Sequence, residues 1–196
     1  LHPTGAVGLD DRQIQGYMER VRDNREDIVG VGEVGLDYHH VEDPGKRERT
    51  REVFEDFVEL SNELGLPLVV HTRNAMEDTL KILRSKKGKV LVHCFSGDLD
   101  DLEEVLDRGY NISLGGIIFR FRQKYEKIID RVPLDNLLLE TDAPFLAKNK
   151  SDTSYPWFIG EIAEEIADIK DVEFDEVWEA GGKNASDFYD LPIDIY

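Results

Sequence analysis

Four residues with metal-binding side chains each follow a short apolar run of the sequence. Glu33 ends the run that starts at Val29, His71 follows LPLVV, His93 follows VLV, and Asp142 follows LLLET. Such runs are typical of buried strands in a parallel sheet, where ligand-binding residues gather at the carboxyl ends of the strands. Carboxylates and imidazoles are ligands of Zn²⁺, Mn²⁺ and similar cations. We therefore expect Glu33, His71, His93 and Asp142 to form a hydrolytic metal site.

The chemistry of such a site follows from the ligand types. A bound cation lowers the pKa of a water molecule, and a nearby carboxylate takes its proton. A carboxylate can bridge two cations, whereas a neutral imidazole binds one, so Glu33 or Asp142 is the expected bridge in a paired site. A single histidine after a strand is more often structural than a ligand. The recurrence of ligand types at four strand ends is what indicates the site.

The elements that must position these residues alternate along the chain. Five apolar segments are predicted strands, at 29–33, 66–71, 89–93, 110–114 and 137–141. Segments with helical spacing lie between them, and His2-Pro3 resembles the end of a further strand. This alternation predicts βα units that form a parallel sheet with right-handed crossovers.

The distribution of the candidate ligands distinguishes between two α/β architectures. A doubly wound sheet concentrates function at one switch point, whereas a (β/α)8 barrel collects residues from the ends of several strands. Four ligands on four strands favour the TIM (β/α)8 barrel. Such a barrel needs about eight strands and typically about 250 residues. We therefore expect the 196 residues to be a single domain, 1–196, that lacks about two units at its amino end.

Composition narrows the class of protein. Hydrophobic residues make up 40% of the chain, which is typical of a globular protein. The net charge is −18, which repels nucleic acid at a distance, although bound cations invert the field locally. A very soluble or salt-adapted cytosolic protein is the simpler explanation of this charge. The chain has no signal peptide, no membrane-spanning apolar run and one cysteine, so we expect a cytoplasmic protein without membrane association.

Four sequence segments resemble the signature segments of the TatD-type metal-dependent deoxyribonucleases. They are GEVGLDY, LPLVVHTR, VLVHCFSG and LLLETDAPFL, and they occur in the family's order and spacing. The resemblance extends from His2-Pro3 to Asn184-Ala185. It implies a TIM barrel of the metallo-dependent hydrolase superfamily. It also implies an enzyme that removes nucleotides from DNA, and in some members from RNA, often as a 3′→5′ exonuclease.

The resemblance also implies roles for individual residues and for one or two divalent ions, Mg²⁺, Mn²⁺ or Zn²⁺. Glu33 resembles the bridging ligand, and His71 and His93 resemble the other protein ligands of one metal. Asp142 resembles the ligand of the second metal and the residue that orients or deprotonates the attacking water. The family's first strand carries a His-x-His pair that this chain lacks. His39-His40 is adjacent rather than x-spaced and lies in a predicted loop, so it is not a substitute.

Two arginines are weaker candidates for substrate binding. Arg73 could contact a substrate phosphate through its planar guanidinium, and an ion pair with a neighbouring carboxylate is an equally good interpretation. Arg120 lies in the stretch 119–125, where basic and aromatic residues alternate. This stretch could stack and neutralise single-stranded nucleic acid. The alternative is an ordinary helix entry with phenylalanines in the core.

The leading functional hypothesis is a metal-dependent phosphodiesterase that removes nucleotides from the 3′ ends of DNA, with RNA as a further substrate class. The same barrel supports many chemistries, so hydrolysis of another ester or an amide is the alternative enzyme. A third hypothesis is an inactive, truncated homologue with exposed sheet edges that pair with another chain. The sequence predicts no oligomeric state.

Overall fold

A computed structural model describes residues 1–192 of the chain. These residues divide into two compact units, an amino-terminal unit, Leu1–Ser96, and a carboxy-terminal unit that begins at Gly97. The expectation of one domain over 1–196 stays a prediction. No α-helix within residues 1–192 is both long and apolar enough to cross a bilayer.

The amino-terminal unit contains three parallel strands with helices between them. Its elements are α1 (Pro3–Ala6), α2 (Asp11–Asp23), β1 (Val31–Asp37), α3 (Pro44–Leu64), β2 (Leu68–Arg73), α4 (Met76–Ile82) and β3 (Val90–His93). Strand β1 pairs with β2, and β2 pairs with β3. Three strands were predicted in this unit and three are present, but β1 continues four residues beyond Glu33, where the sequence analysis ended it. The other strand ends differ by one or two residues.

Helix α3 shows how the sequence fixes an element that supports the site. The Asp43 side chain accepts a hydrogen bond from the Lys46 amide at the amino end, and Pro44 occupies the first helical turn. Gly65 ends the helix in a left-handed conformation, with φ 66°. Apolar side chains on one face are buried in the core: Val53, Phe54, Phe57, Val58 and Leu60. The helix therefore packs its apolar face against β1, the strand that carries Glu33.

One extra residue in β1 changes its alternation just before the first candidate ligand. Val31 is opposite Leu68, whereas Val34 is opposite Val70, so three steps on β1 match two steps on β2. This is a β-bulge, a feature that often re-aims a side chain beside an active site. Glu33 lies within it. Beyond the bulge the register is regular, with Gly35 opposite His71 and His71 opposite His93.

His2-Pro3 forms a helix start within the described residues, and the expectation that it follows a strand stays a prediction. His2 is the N-cap of the short helix α1, and its side chain accepts a hydrogen bond from the Thr4 amide. Pro3 occupies the first helical turn, where its missing amide hydrogen is not needed. The local capping chemistry of His-Pro-Thr therefore produces a helix start.

The carboxy-terminal unit contains two parallel strands and five helices among the described residues. Its elements are α5 (Leu99–Asp107), β4 (Asn111–Leu114), α6 (Ile117–Arg120), α7 (Arg122–Arg131), β5 (Leu137–Leu139), α8 (Ile159–Lys170) and α9 (Phe174–Tyr189). Strands β4 and β5 are paired in parallel. Asn184 of α9 is buried and donates to the carbonyls of Leu134 and Leu137, which fixes the helix to the start of β5. This strand precedes Asp142.

Candidate metal centre

Three of the four predicted ligands meet in the amino-terminal unit. Oε2 of Glu33 lies 3.3 Å from Nδ1 of His71 and 3.4 Å from Nε2 of His93. The two histidines come from adjacent strands and are directly in register, and the bulge turns Glu33 towards them. The strand register therefore brings the three side chains together, although Glu33 and His71 lie inside their strands and only His93 is at a strand end.

A fourth side chain, His2, joins this cluster although the sequence analysis did not assign it to the site. One ligand atom each from His2, Glu33 and His71 lie within 4.8 Å of one another. The His2 ring packs edge-on against the His71 ring, with centroids 4.4 Å apart. His2 could have been identified from the sequence, because it is a histidine in a segment interpreted as a strand end, as His71 and His93 are.

The glycine opposite His71 is required for this close approach of β1 and β2. Gly35 has φ 141°, and a Cβ atom there would lie 2.0 Å from the carbonyl oxygen of His71. Any other residue would force the two strands apart at the level of the site. The packing of the two strands therefore explains why the second glycine of GEVGLDY, Gly35, is a glycine.

The charges of the cluster favour an ionised carboxylate. The pKa of Glu33 is lowered from its ordinary value, chiefly by the contact with His71; burial opposes this, and the charge of His93 lowers the pKa further. Burial is the main cause that lowers the pKa of His2, and the neighbouring His71 adds to it. Glu33 thus supplies a negative charge next to imidazoles, which is suited to binding a cation.

The donor atoms of the cluster are of the types that bind a divalent cation. Oε2 of Glu33 is buried and has no hydrogen bond with good geometry within residues 1–192, even though two imidazole nitrogens lie within 3.4 Å of it. A buried carboxylate oxygen without such a bond is costly unless another ligand satisfies it. Carboxylate oxygen and imidazole nitrogen are the ligands that Zn²⁺ and related ions take. The residues therefore fit the expected cation.

Asp37 contacts the cluster although the sequence analysis did not name it. It is 1% exposed at the end of β1, and its Oδ2 lies 3.2 Å from Nε2 of His71 and 2.8 Å from Nδ1 of His40. Burial raises the pKa of Asp37, and the hydrogen bonds from the His40 side chain and backbone outweigh it, so the net pKa is lowered. The spacing of Asp37 from Glu33 could have indicated it, because residues four apart on a strand share a face.

Asp142 belongs to the carboxy-terminal unit and follows β5 in a tight turn. Its φ is 54°, and its carbonyl accepts a hydrogen bond from the Phe145 amide at 2.8 Å. This turn follows the carboxyl end of β5, and the sequence analysis also placed Asp142 after that strand. Its convergence with the other ligands stays a prediction.

The two arginine candidates differ in their surroundings. Arg73 is exposed at the end of β2, and its guanidinium makes no ion pair within the described part of the chain. The alternative interpretation of Arg73 as the partner of a carboxylate therefore has no support there. Arg120 is half-buried and donates from Nη2 to the carbonyl of Ala147 at 3.3 Å. Substrate binding by either residue stays a prediction.

Comparisons with known proteins find similar sequences in one family of enzymes. The family model described as TatD related DNase matches residues 1–190. The chain is 30% identical to the uncharacterized metal-dependent hydrolase YabD of Bacillus subtilis, over 94% of this chain and 73% of that protein. It is 33% identical to the human deoxyribonuclease TATDN3, over 94% of this chain and 70% of that protein.

A solved structure confirms the fold class. The crystal structure of the TatD homolog YJJV from Escherichia coli superposes with a TM-score of 0.88 and 27% identity. The match covers 98% of this chain and 75% of that structure. The expected α/β fold of the TIM-barrel class is therefore confirmed, and the chain holds five strands of it within residues 1–192.

Proposed function

Because this chain belongs to the TatD-related DNase family of metal-dependent hydrolases, we propose that it hydrolyses phosphodiester bonds of DNA with a divalent cation. The finer proposal is an exonuclease that removes nucleotides from 3′ ends, acts in the cytoplasm and accepts RNA as a second substrate class. The cation proposed is Mg²⁺, Mn²⁺ or Zn²⁺, with one or two ions bound.

The observation on which the proposal depends is the environment of Glu33. Its buried Oε2 lies between Nδ1 of His71 and Nε2 of His93 without forming a hydrogen bond of good geometry. A structural carboxylate in the same place would be expected to accept a hydrogen bond from one of the rings. The arrangement suits a shared cation better than it suits a structural salt bridge.

The roles of the residues follow from their chemistry. Glu33, His71 and His93 would hold the cation, with His2 beside them. When bound, the cation supplies a water of lowered pKa and neutralises charge on the phosphodiester. The carboxylate of Asp142 is proposed to orient the attacking water and take its proton. Arg73, exposed at the end of β2, is proposed to bind a substrate phosphate through its guanidinium.

The strong negative charge of the chain makes the cation important for substrate binding as well as for chemistry. A net charge of −18 repels the DNA backbone over about a Debye length, which is about 8 Å at physiological salt. A divalent ion held by Glu33 and neutral imidazoles more than offsets the charge of that carboxylate. We therefore expect DNA binding to need the cation, and chelation to weaken binding as well as cleavage.

The test is cleavage of a 5′-labelled single-stranded DNA by the purified protein with Mg²⁺, Mn²⁺ or Zn²⁺. A 3′→5′ exonuclease gives a ladder of labelled products that shortens from the 3′ end, and EDTA abolishes it. Immediate release of a labelled mononucleotide would show the opposite polarity. An RNA of the same sequence tests the second substrate class. Cleavage that continues undiminished in EDTA would refute the metal-dependent proposal.

Two substitutions with matched controls connect activity to the site. Asp142→Asn is expected to reduce the rate by about 10²–10⁴-fold, the range for removal of a general base. Asp135→Asn changes the charge equally at an exposed position of the same unit and should leave the rate unchanged. Glu33→Gln should abolish cleavage at limiting metal, whereas Glu77→Gln, on the exposed face of α4, should not. Equal rates in a variant and its control would contradict the assigned role.

A further inference from the structure

Asp37 forms hydrogen bonds through both of its carboxylate oxygens although it is almost completely buried. Oδ1 accepts the backbone amides of His39, at 3.0 Å, and of His40, at 2.9 Å. Oδ2 is within hydrogen-bond distance of His40 Nδ1, at 2.8 Å, and of His71 Nε2, at 3.2 Å. The turn after β1 therefore holds the carboxylate in one orientation, with Oδ2 facing the ring on the neighbouring strand.

The ring of His71 lies between two carboxylates that make different contacts with it. Its Nε2 is hydrogen-bonded to Asp37, and its Nδ1 is 3.3 Å from Oε2 of Glu33, an atom without a well-formed hydrogen bond. A neutral imidazole has one N–H and one lone pair. The hydrogen bond to Asp37 places the N–H on Nε2, so the lone pair lies on Nδ1, on the side of Glu33.

We propose that Asp37 is a positioning residue that fixes the tautomer and orientation of His71, so that Nδ1 is the atom offered to the cation. The proposal rests on the metal site described under the proposed function. A carboxylate that accepts the far N–H of a ligating histidine orients the ring and raises its basicity. His40, which the sequence analysis excluded as a ligand, here serves to anchor Asp37 through Nδ1.

The substitution Asp37→Asn separates this role from a purely structural one. The asparagine oxygen can still accept the amides of His39 and His40, so the turn is preserved. The other atom becomes an NH₂ group that donates, and His71 must then accept at Nε2 and carry its hydrogen on Nδ1. The lone pair is lost on the side of Glu33. Asp43→Asn is the control, since it makes the same charge change at an exposed N-cap where asparagine caps equally well.

The experiment has two readouts, neither of which needs nuclease activity. Long-range ¹H–¹⁵N NMR of the metal-free protein, with ¹⁵N-labelled histidine at alkaline pH, reports the tautomer of His71, assigned from a His71→Gln spectrum. Calorimetry with Mn²⁺ alone reports the affinity. We expect the Nε2–H tautomer in the wild type and the Nδ1–H tautomer in Asp37→Asn. The Mn²⁺ affinity of Asp37→Asn should be about 10–100-fold weaker, with Asp43→Asn close to wild type.

Three results would overturn the proposal. One is an Nδ1–H tautomer of His71 in the wild type, which decides the matter even if Asp37→Asn does not fold. Another is an unchanged tautomer in a folded Asp37→Asn. The last is a Mn²⁺ affinity equal to that of Asp43→Asn despite a changed tautomer. A wild-type protein with the expected tautomer and Mn²⁺ affinity but no DNA cleavage would instead refute the proposed function alone.

Discussion

Replacement of Gly35 by alanine tests whether the close approach of β1 and β2 builds the metal centre. The new Cβ would lie 2.0 Å from the carbonyl oxygen of His71, and the backbone at Gly35 has φ 141°, which side chains disfavour. The obstructing atom belongs to a strand backbone, so it cannot rotate away as a side chain could. Relief requires β1 and β2 to separate beside Glu33 and His71.

The size of the effect can be worked out from these two causes. The disfavoured backbone conformation costs about 1–3 kcal/mol. The steric overlap adds a cost of about 1–3 kcal/mol, as for overpacking in a core. Together they amount to about 2–6 kcal/mol, out of a typical total stability of about 5–15 kcal/mol. For a chain of this size, each kcal/mol lowers Tm by about 2–4 °C.

Two other glycines provide controls for the two causes. Gly65 has φ 66° but open space around its Cβ position, so Gly65→Ala meets only the conformational cost. Gly16 lies in α2 with nothing within 4 Å of a Cβ, so Gly16→Ala should stabilise the protein by about 0.5–1 kcal/mol. We therefore expect Gly16→Ala to be the most stable form, followed by the wild type, then Gly65→Ala, with Gly35→Ala the least stable.

Thermal and urea unfolding in EDTA measure these differences without a contribution from bound metal. Calorimetry with Mn²⁺ then measures the site, where Gly35→Ala should also weaken affinity because it moves Glu33 away from His71. A Gly35→Ala variant as stable as Gly65→Ala would refute the reasoning about the steric overlap. A destabilised Gly35→Ala with wild-type Mn²⁺ affinity would refute the connection between strand spacing and the site.

Two further predictions concern stability away from the metal centre. The pKa of Asp78 is lowered from 3.8, and the hydrogen bond from the Tyr38 hydroxyl is the largest cause. A carboxylate with a lowered pKa stabilises the fold at pH values above its unfolded pKa. This stabilisation is lost as the pH falls through its pKa in the folded protein. Asp78→Asn should therefore cost less than about 1 kcal/mol at neutral pH, with the difference vanishing in acid when urea unfolding is measured across this range. Asn184→Ala removes the side-chain donor to the carbonyls of Leu134 and Leu137 and should lower the free energy of unfolding by about 1–3 kcal/mol. Asn149→Ala, at an exposed site, should change it by less than about 0.5 kcal/mol in the same assay.

The strands and the first ligands were predictable because one physical rule governs both. A parallel strand is buried on both faces, so its apolar run is visible in sequence, and its carboxyl end is where polar side chains gather. His93 follows this rule as the last residue of β3. Glu33 and His71 lie inside β1 and β2, and the strand register brings the three side chains together. Most strand bounds differ by one or two residues, and β1 continues four residues past Glu33, because an apolar run does not show where the ladder of hydrogen bonds ends.

Asp37 and His2 were missed for different physical reasons. Asp37 lies inside the strand that Glu33 was taken to end, and a search for the residue after an apolar run stops too early. Its role depends on the His40 amide and ring, which fold back onto it only in the turn. His2 was interpreted as part of a strand, whereas its side chain caps α1. The contact that places Asp37 is tertiary, and the contact that places His2 is a local helix cap. Neither kind of contact produces a periodic pattern in the sequence.

The proposed roles of the candidate ligands predict separate effects on metal affinity and on catalysis. The amino-terminal unit alone supplies Glu33, His71 and His93, enough ligands for one cation, whereas Asp142 belongs to the carboxy-terminal unit. Glu33→Gln should therefore lower both Mn²⁺ affinity and DNA cleavage. Asp142→Asn should lower cleavage while the first Mn²⁺ binds with wild-type affinity. Loss of that first binding step in Asp142→Asn would show that Asp142 holds the same cation as the three ligands of β1, β2 and β3.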